Sequence, residues 1–155
     1  MIRALISDFG GVLTTPLSEG FVAYQEETGV SLEQLGLAMA RATAEHGEHP
    51  LYALERGQLS ETGFRDQIAA HLDDGFDFAR LSNLLFERIQ PNREMIDFLA
   101  ELRRGGLRLA LLTNNVREWE PMWRSKLPEI DDIFEVVVDS AFVGMRKPDP
   151  PIYEL

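Results

Sequence analysis

Three short apolar runs stand out along the chain: residues 2–7, 107–112 and 134–138. Each is nearly uninterrupted, and each ends on a polar residue: Asp8, Thr113 and Asp139. Continuous apolar runs of this length predict parallel strands covered on both faces. Open parallel sheets bind ligands at the carboxyl ends of their strands, which is where these three polar residues fall.

Between the first two runs the pattern changes to helical spacing. Ser18 is positioned to cap a helix carrying Phe21, Val22 and Tyr24 that stops at Gly29. Ser31 and Gln34 have capping-box spacing ahead of Leu35 and Met39. Ser60 precedes Phe64, Ile68 and Leu72, an i, i+4, i+8 stripe. Leu81, Leu84, Leu85 and Ile89 predict a fourth helix, and Pro91 and Asn92 then break the chain. A fifth helix carries Met95, Ile96, Leu99 and Leu102 and ends at Gly105-Gly106. It lies directly before the second strand and so reads as the crossover helix of a right-handed βαβ unit. The expected organisation is a base made of residues 1–15 and 91–155, with four helices inserted over residues 16–90. Neither an internal repeat nor a low-complexity tract interrupts it.

Composition narrows the class. The 155 residues are 45% hydrophobic and include nine Phe, enough for a packed core. No stretch approaches the ~18 apolar residues of a membrane span, and the start lacks a signal-peptide pattern. Zero Cys excludes disulfides, thiolate metal sites and Cys nucleophiles. The expected location is the cytoplasm. With 15 Lys+Arg against 26 Asp+Glu the net charge is −11, which disfavours nucleic acid or an anionic membrane as partner. An anionic substrate would need locally placed positive charge.

The residues around the strand ends supply it. Ser7-Asp8-Phe9-Gly10-Gly11-Val12-Leu13-Thr14 puts a carboxylate at the end of a strand, with two glycines after it. Such a turn lets backbone N–H groups approach an anion. Thr113-Asn114-Asn115 ends the second strand with a hydroxyl and amides, and Lys147-Pro148-Asp149-Pro150 follows the third with a cation in stiff backbone. Nucleophile, phosphate donor and charge neutraliser are the groups that phosphoryl transfer to an aspartate requires.

These three segments, in this order and with a helical insert after the first, resemble the haloacid dehalogenase superfamily of aspartate-nucleophile hydrolases. The likeness is to its phosphatase-like members with a helical cap, and it extends over almost the whole chain. It implies an α/β fold: a Rossmann-like parallel sheet core, incomplete at the C-terminus, with an inserted α-helical cap. It implies that Asp8 attacks phosphorus and forms an aspartyl-phosphate, and that Lys147 pairs with Asp8 and the phosphate. Thr113, the Asn114 amide and Gly11 would bind phosphoryl oxygens. Mg²⁺ would bridge Asp8, the Gly10 backbone carbonyl and the phosphate, an all-oxygen site suited to that ion. The implied partner is a small phosphorylated metabolite.

Two departures qualify the likeness. Many family phosphatases carry a second Asp where this chain has Gly10, as general acid for the leaving group, an effect commonly worth roughly 10²–10⁴-fold. Haloacid dehalogenation needs no such acid and is the chemical alternative, although dehalogenases usually carry an aromatic residue there. A non-catalytic module binding a phosphorylated ligand or a protein is the alternative from another class. Second, family members continue past the third motif to a further strand and an acidic pair that completes the Mg²⁺ site, whereas this chain stops at Leu155. The expectation is a fragment of a longer protein, with little or no hydrolytic activity in this form. A complete short protein would need a partner over its first strand, and an exposed first strand favours homo-oligomers.

Weaker features read mostly as structure. Glu45-His46-Gly47-Glu48-His49 has two His three apart but no third ligand nearby, and Gly47 and Pro50 point to a loop. His71 reads as a helix-surface residue. Asp73-Asp74-Gly75-Phe76-Asp77 lacks the remaining ligands of a calcium loop and reads as a solvated turn. Trp119 and Trp123 read as packing residues. Arg117 is near enough to the second motif to reach a substrate, without a specific signal that it does.

Overall fold

A computed structural model of the protein describes residues 2–72 and 76–155. Three parallel strands form one sheet in the order β1-β2-β3: β1 (Ala4–Ser7), β2 (Arg108–Thr113) and β3 (Val136–Asp139). Ser7 pairs with Leu111, and Thr113 with Asp139, so the carboxyl ends of the three strands lie side by side. The apolar runs thus form strands: β1 and β3 are shorter than their runs, and β2 has the length of its run, shifted by one residue. Within the described sheet β1 has β2 as its only neighbour, and Ile2 and Ile6 stand 79% and 56% exposed.

Among the described residues five helices separate β1 from the crossover: α1 (Ser18–Thr28), α2 (Leu32–His46), α3 (Pro50–Glu55), α4 (Glu61–Ala69) and α5 (Phe78–Arg88). The sequence predicts four of them. The extra one, α3, has only six residues, too few to show a helical stripe, and Pro50 opens it at a first-turn position where the missing N–H is not needed. Ser18 is not the cap of α1. It lies inside the helix, Leu17 holds the cap position, and no side chain caps that end. The capping box of Ser31 and Gln34 is present in full, and Ser60 accepts from the Gly63 N–H. Leu72 and His71 follow α4 rather than ride on it. His71 is half-buried, with Nε2 3.3 Å from Glu45 Oε2. Of the acidic turn, Asp73, Asp74 and Gly75 lie outside the described residues, and Asp77 caps α5 by accepting from the Arg80 N–H at 2.8 Å.

The chain leaves the sheet for this helical layer and returns from it at one place. Thr14 and Pro91 form an antiparallel bridge, and the N–H of Thr15 donates to the Gln90 carbonyl at 2.9 Å. Asn92 caps α6 (Arg93–Arg104) and also donates from its side chain to the Val12 carbonyl at 3.0 Å. After β2 come a short 3₁₀ turn (Arg117–Trp119), α7 (Glu120–Ser125) and α8 (Ile130–Ile133). After β3 comes α9 (Ser140–Val143), and a second 3₁₀ turn spans Pro150–Tyr153.

Two apolar clusters divide the interior. One packs Phe9, Leu13, Ile96, Leu109, Leu111 and Trp123 around the sheet, and the other packs Tyr24, Leu35, Leu54, Phe64, Phe78 and Leu84 within the helical layer. α1 and α5 pack closely at Gly20, where an added Cβ would lie 2.7 Å from Leu85 Cα. None of the helices among the described residues is long and apolar enough to cross a membrane.

Candidate active site

The loop after β1 is a tight turn built on Gly11, whose φ of +76° is costly for any residue with a Cβ. The Val12 and Leu13 N–H groups donate to the Phe9 carbonyl at 3.2 and 2.9 Å, closing the turn. The Gly11 N–H is occupied within it, donating to Thr14 Oγ1 at 3.2 Å. Gly11, a phosphate-binding candidate from the sequence, supplies the bend here, with its N–H held by Thr14.

Asp8 stands at the head of this turn, with its side chain 44% exposed. Its Oδ1 accepts from the Phe9 N–H at 2.7 Å, and Lys147 Nζ lies 2.7 Å from the same oxygen. Carboxylate and ammonium, 139 positions apart in sequence, therefore share one crevice, as phosphoryl transfer needs.

Lys147 is held along its whole length. Its Nζ donates to the Leu112 carbonyl at 2.8 Å. Its N–H donates to Asn114 Oδ1 at 2.8 Å, and Asn114 Nδ2 donates back to its carbonyl at 3.0 Å. The Asn114 side chain thus clamps the lysine backbone, which leaves only the main chain of Asn114 to serve a ligand. Thr113 is buried, and its hydroxyl makes only a long 3.5 Å contact with the Asn114 carbonyl. That hydroxyl is available to a neighbouring oxygen.

Several residues that no local motif marked complete the surroundings. Glu55, the last residue of α3, is 3.4 Å from Asn114 Nδ2 and 2.6 Å from Arg146 Nε. Both side chains are mostly buried, at 15% and 13% exposure. Burial pushes the Glu55 carboxyl above its ordinary value, outweighing the opposing pull of Arg146. Arg146 in turn stacks on the Tyr52 ring, 4.0 Å from its centre. Ser140 donates to the Glu55 carbonyl at 2.6 Å and accepts from the Asn115 N–H at 3.1 Å. In the sequence Glu55-Arg56 reads as an ordinary charged pair, and its partner lies 91 positions away. The only available signal was Gly57, a helix breaker whose left-handed φ seats it against the Ala141 carbonyl.

Asp139, at the end of β3, points inward. Its Oδ1 accepts from the Ala141 N–H at 3.0 Å and its Oδ2 from Trp123 Nε1 at 3.2 Å. Burial nevertheless pushes its pKa from 3.8 to about 6, against the effect of both donors. Arg117 is directed away from Asp8: it donates to the Ala141 carbonyl and lies over the Phe142 ring. In the 45–49 segment His49 stacks on Tyr52, with ring centres 4.3 Å apart. Among the described residues no three His, Cys, Asp or Glu side chains gather as a metal site.

A divalent cation can still be tested against the donors present. Lys147 and the Phe9 N–H both use Asp8 Oδ1, and among the described residues nothing donates to Oδ2 or to the Gly10 carbonyl. Those two oxygens fit Mg²⁺, which typically takes one or two carboxylates and fills the rest of its shell with water and phosphate oxygens.

The fold and site define a class: an α/β protein with a carboxylate just beyond the carboxyl end of a parallel strand and a lysine facing it. A profile of the haloacid dehalogenase-like hydrolases matches residues 2–155, and the chain belongs to that family. It is 28% identical to a sesquiterpene phosphatase of Aspergillus oryzae over 98% of its own length and 71% of that protein's. It is 37% identical to a phosphoserine phosphatase of Thermus thermophilus over 64% of this chain and 37% of that one. A haloacid dehalogenase family enzyme of Bacteroides thetaiotaomicron, crystallised with magnesium and inorganic phosphate, has the same fold. The TM-score is 0.73 at 19% identity, covering 99% of this chain and 76% of the other. The chain is a hydrolase with phosphatase relatives.

Proposed function

We propose that the protein hydrolyses phosphate monoesters of small metabolites through an aspartyl-phosphate on Asp8. The observation that carries this reading is the 2.7 Å approach of Lys147 Nζ to Asp8 Oδ1 at the shared strand ends. In this reading residues 1–15 and 91–155 are the chemical base, and residues 16–90 are a cap over it.

The steps follow from the residues. Asp8 attacks phosphorus and displaces the alcohol oxygen. Lys147, fixed by Leu112 and Asn114, balances charge on the carboxylate and on the transferring group. The Thr113 hydroxyl and the Asn114 main chain donate to the phosphoryl oxygens. Gly10 has no side chain to supply a proton, so the leaving oxygen takes one from water. A second water then attacks phosphorus, releasing phosphate and restoring Asp8. Mg²⁺ held by Asp8 and the Gly10 carbonyl would add positive charge beside the phosphoryl group. The magnesium and phosphate bound by the Bacteroides enzyme support this assignment.

The test is steady-state hydrolysis of small phosphate esters by the complete gene product, as wild type and as Asp8→Asn. The expected loss is on the order of 10⁴-fold or more in kcat, the scale of nucleophile removal in covalent catalysis. Undiminished turnover in the variant removes Asp8 from the mechanism. Phosphate binding with no turnover in wild type favours the non-catalytic module instead.

A further inference from the structure

The crevice at Asp8 does not end at its polar groups. A cavity of about 320 Å³ opens from Gly10, Thr113, Asn114 and Glu55 into the helical layer. Beyond that mouth it is walled by side chains such as Phe21, Leu35, Met39, Leu51, Phe64 and Trp119.

Several of the polar groups near this wall are already committed. Glu55 is held by Arg146 and Asn114. The Trp119 indole N–H donates to Glu61, and the Tyr24 hydroxyl accepts from the Asp77 N–H at 3.2 Å. A sugar, a nucleobase or an amino-acid backbone entering here would give up its bonds to water and find little in return. An apolar chain would lose nothing. An unfilled apolar cavity also weakens a fold, because its lining loses contacts. A void of this size at the mouth of a reactive site is therefore readily explained as ligand space.

Size sets the occupant. An apolar cavity of ~150 Å³ accepts one benzene ring, so one of about 320 Å³ takes roughly twice as many carbons, on the order of ten to twelve. We infer that the substrate is an aliphatic monophosphate ester of about that chain length, its phosphate at Asp8 and its chain in the helical layer. The inference rests on the phosphatase reading and names the substrate class for that site.

The test separates the two. Binding of n-alkylphosphonates of two to twelve carbons is measured by calorimetry below micelle-forming concentrations, and hydrolysis of the matching alkyl phosphates is measured in parallel. Affinity should rise by about fourfold per added methylene, then level off near ten to twelve carbons. Met39→Trp, which fills the cavity, should move that plateau to shorter chains and leave ethylphosphonate binding unchanged. Leu51→Phe gives the same readout should the first variant not fold. Affinity independent of chain length overturns the inference, and so does a plateau that neither variant moves. Hydrolysis of short and polar esters with a flat length series keeps the phosphatase and discards the apolar-chain substrate. Length-dependent binding with no hydrolysis of any ester keeps the apolar-chain site, discards the phosphatase and overturns the aliphatic ester as substrate.

Discussion

The base and the helical layer face each other across one crevice and are built on opposite terms. On the base side the charged groups are held by named polar partners. Lys147 is bound at its N–H, carbonyl and Nζ, and Asp8 at Oδ1. On the other side the wall is apolar and its polar groups are tied up elsewhere. The first surface is defined by directional bonds and tolerates little change. The second is defined by shape, and volume-conserving exchanges there are inexpensive. A fold divided this way can keep one reaction while its apolar wall changes.

The joint between the two surfaces is the first place to break that division. Glu55 belongs to the helical layer, yet its carboxylate lies between Arg146 and Asn114. Glu55→Ala leaves the Arg146 guanidinium largely buried and without that carboxylate. Removing one member of a buried pair costs about 3 kcal/mol or more, and urea unfolding should show it. Glu55→Gln keeps the bond to Asn114 and should recover part of the loss. If the alanine variant unfolds at the wild-type midpoint, the two surfaces are not joined through this residue.

A second break lies wholly within the helical layer. At Gly20 an added Cβ would meet the Leu85 backbone, so Gly20→Ala must push α1 from α5. Overpacking of this kind costs about 2 kcal/mol, which thermal or denaturant melting measures. The shift should change chain-length preference more than it changes turnover of a short ester. Equal effects on both would mean that the layer and the base do not act separately.

The sequence disclosed these regions unequally, for physical reasons. β1, β2 and β3 follow from nearly uninterrupted apolar runs, and Asp8, Thr113 and Lys147 follow from the polar residues at or just beyond their ends. Capping chemistry located the starts of α2 and α4, because Ser31 and Ser60 act within three residues of themselves. What stayed hidden depends on distance along the chain. α3 is too short to show a period. Glu55 acquires its meaning from Arg146, 91 positions away. Ser18 looked like a cap on composition, but the backbone places Leu17 there. The cavity was out of reach altogether, because an apolar stripe reads the same whether it meets another side chain or an empty space.

The smallest effect concerns Asp139, which supports the base from beneath. Its pKa is raised from 3.8 to about 6, so the folded state holds its proton more tightly than the unfolded chain does. The stability this contributes is complete below about pH 3.8 and is lost as pH rises through about 6. Asp139→Asn removes the titration while keeping an oxygen for the Ala141 N–H. The stability of wild type minus that of the variant should therefore fall by about 1.4 kcal/mol between pH 5 and pH 7.5, as one pKa unit corresponds to 1.36 kcal/mol. Paired urea titrations at the two pH values measure it. Because Asp139 lies in the base and its donors are Ala141 and Trp123, chain-length preference should be the same at both pH values. A preference that shifts with pH in wild type but not in Asp139→Asn would show that the polar base reaches into the apolar wall through Trp123, which lines both.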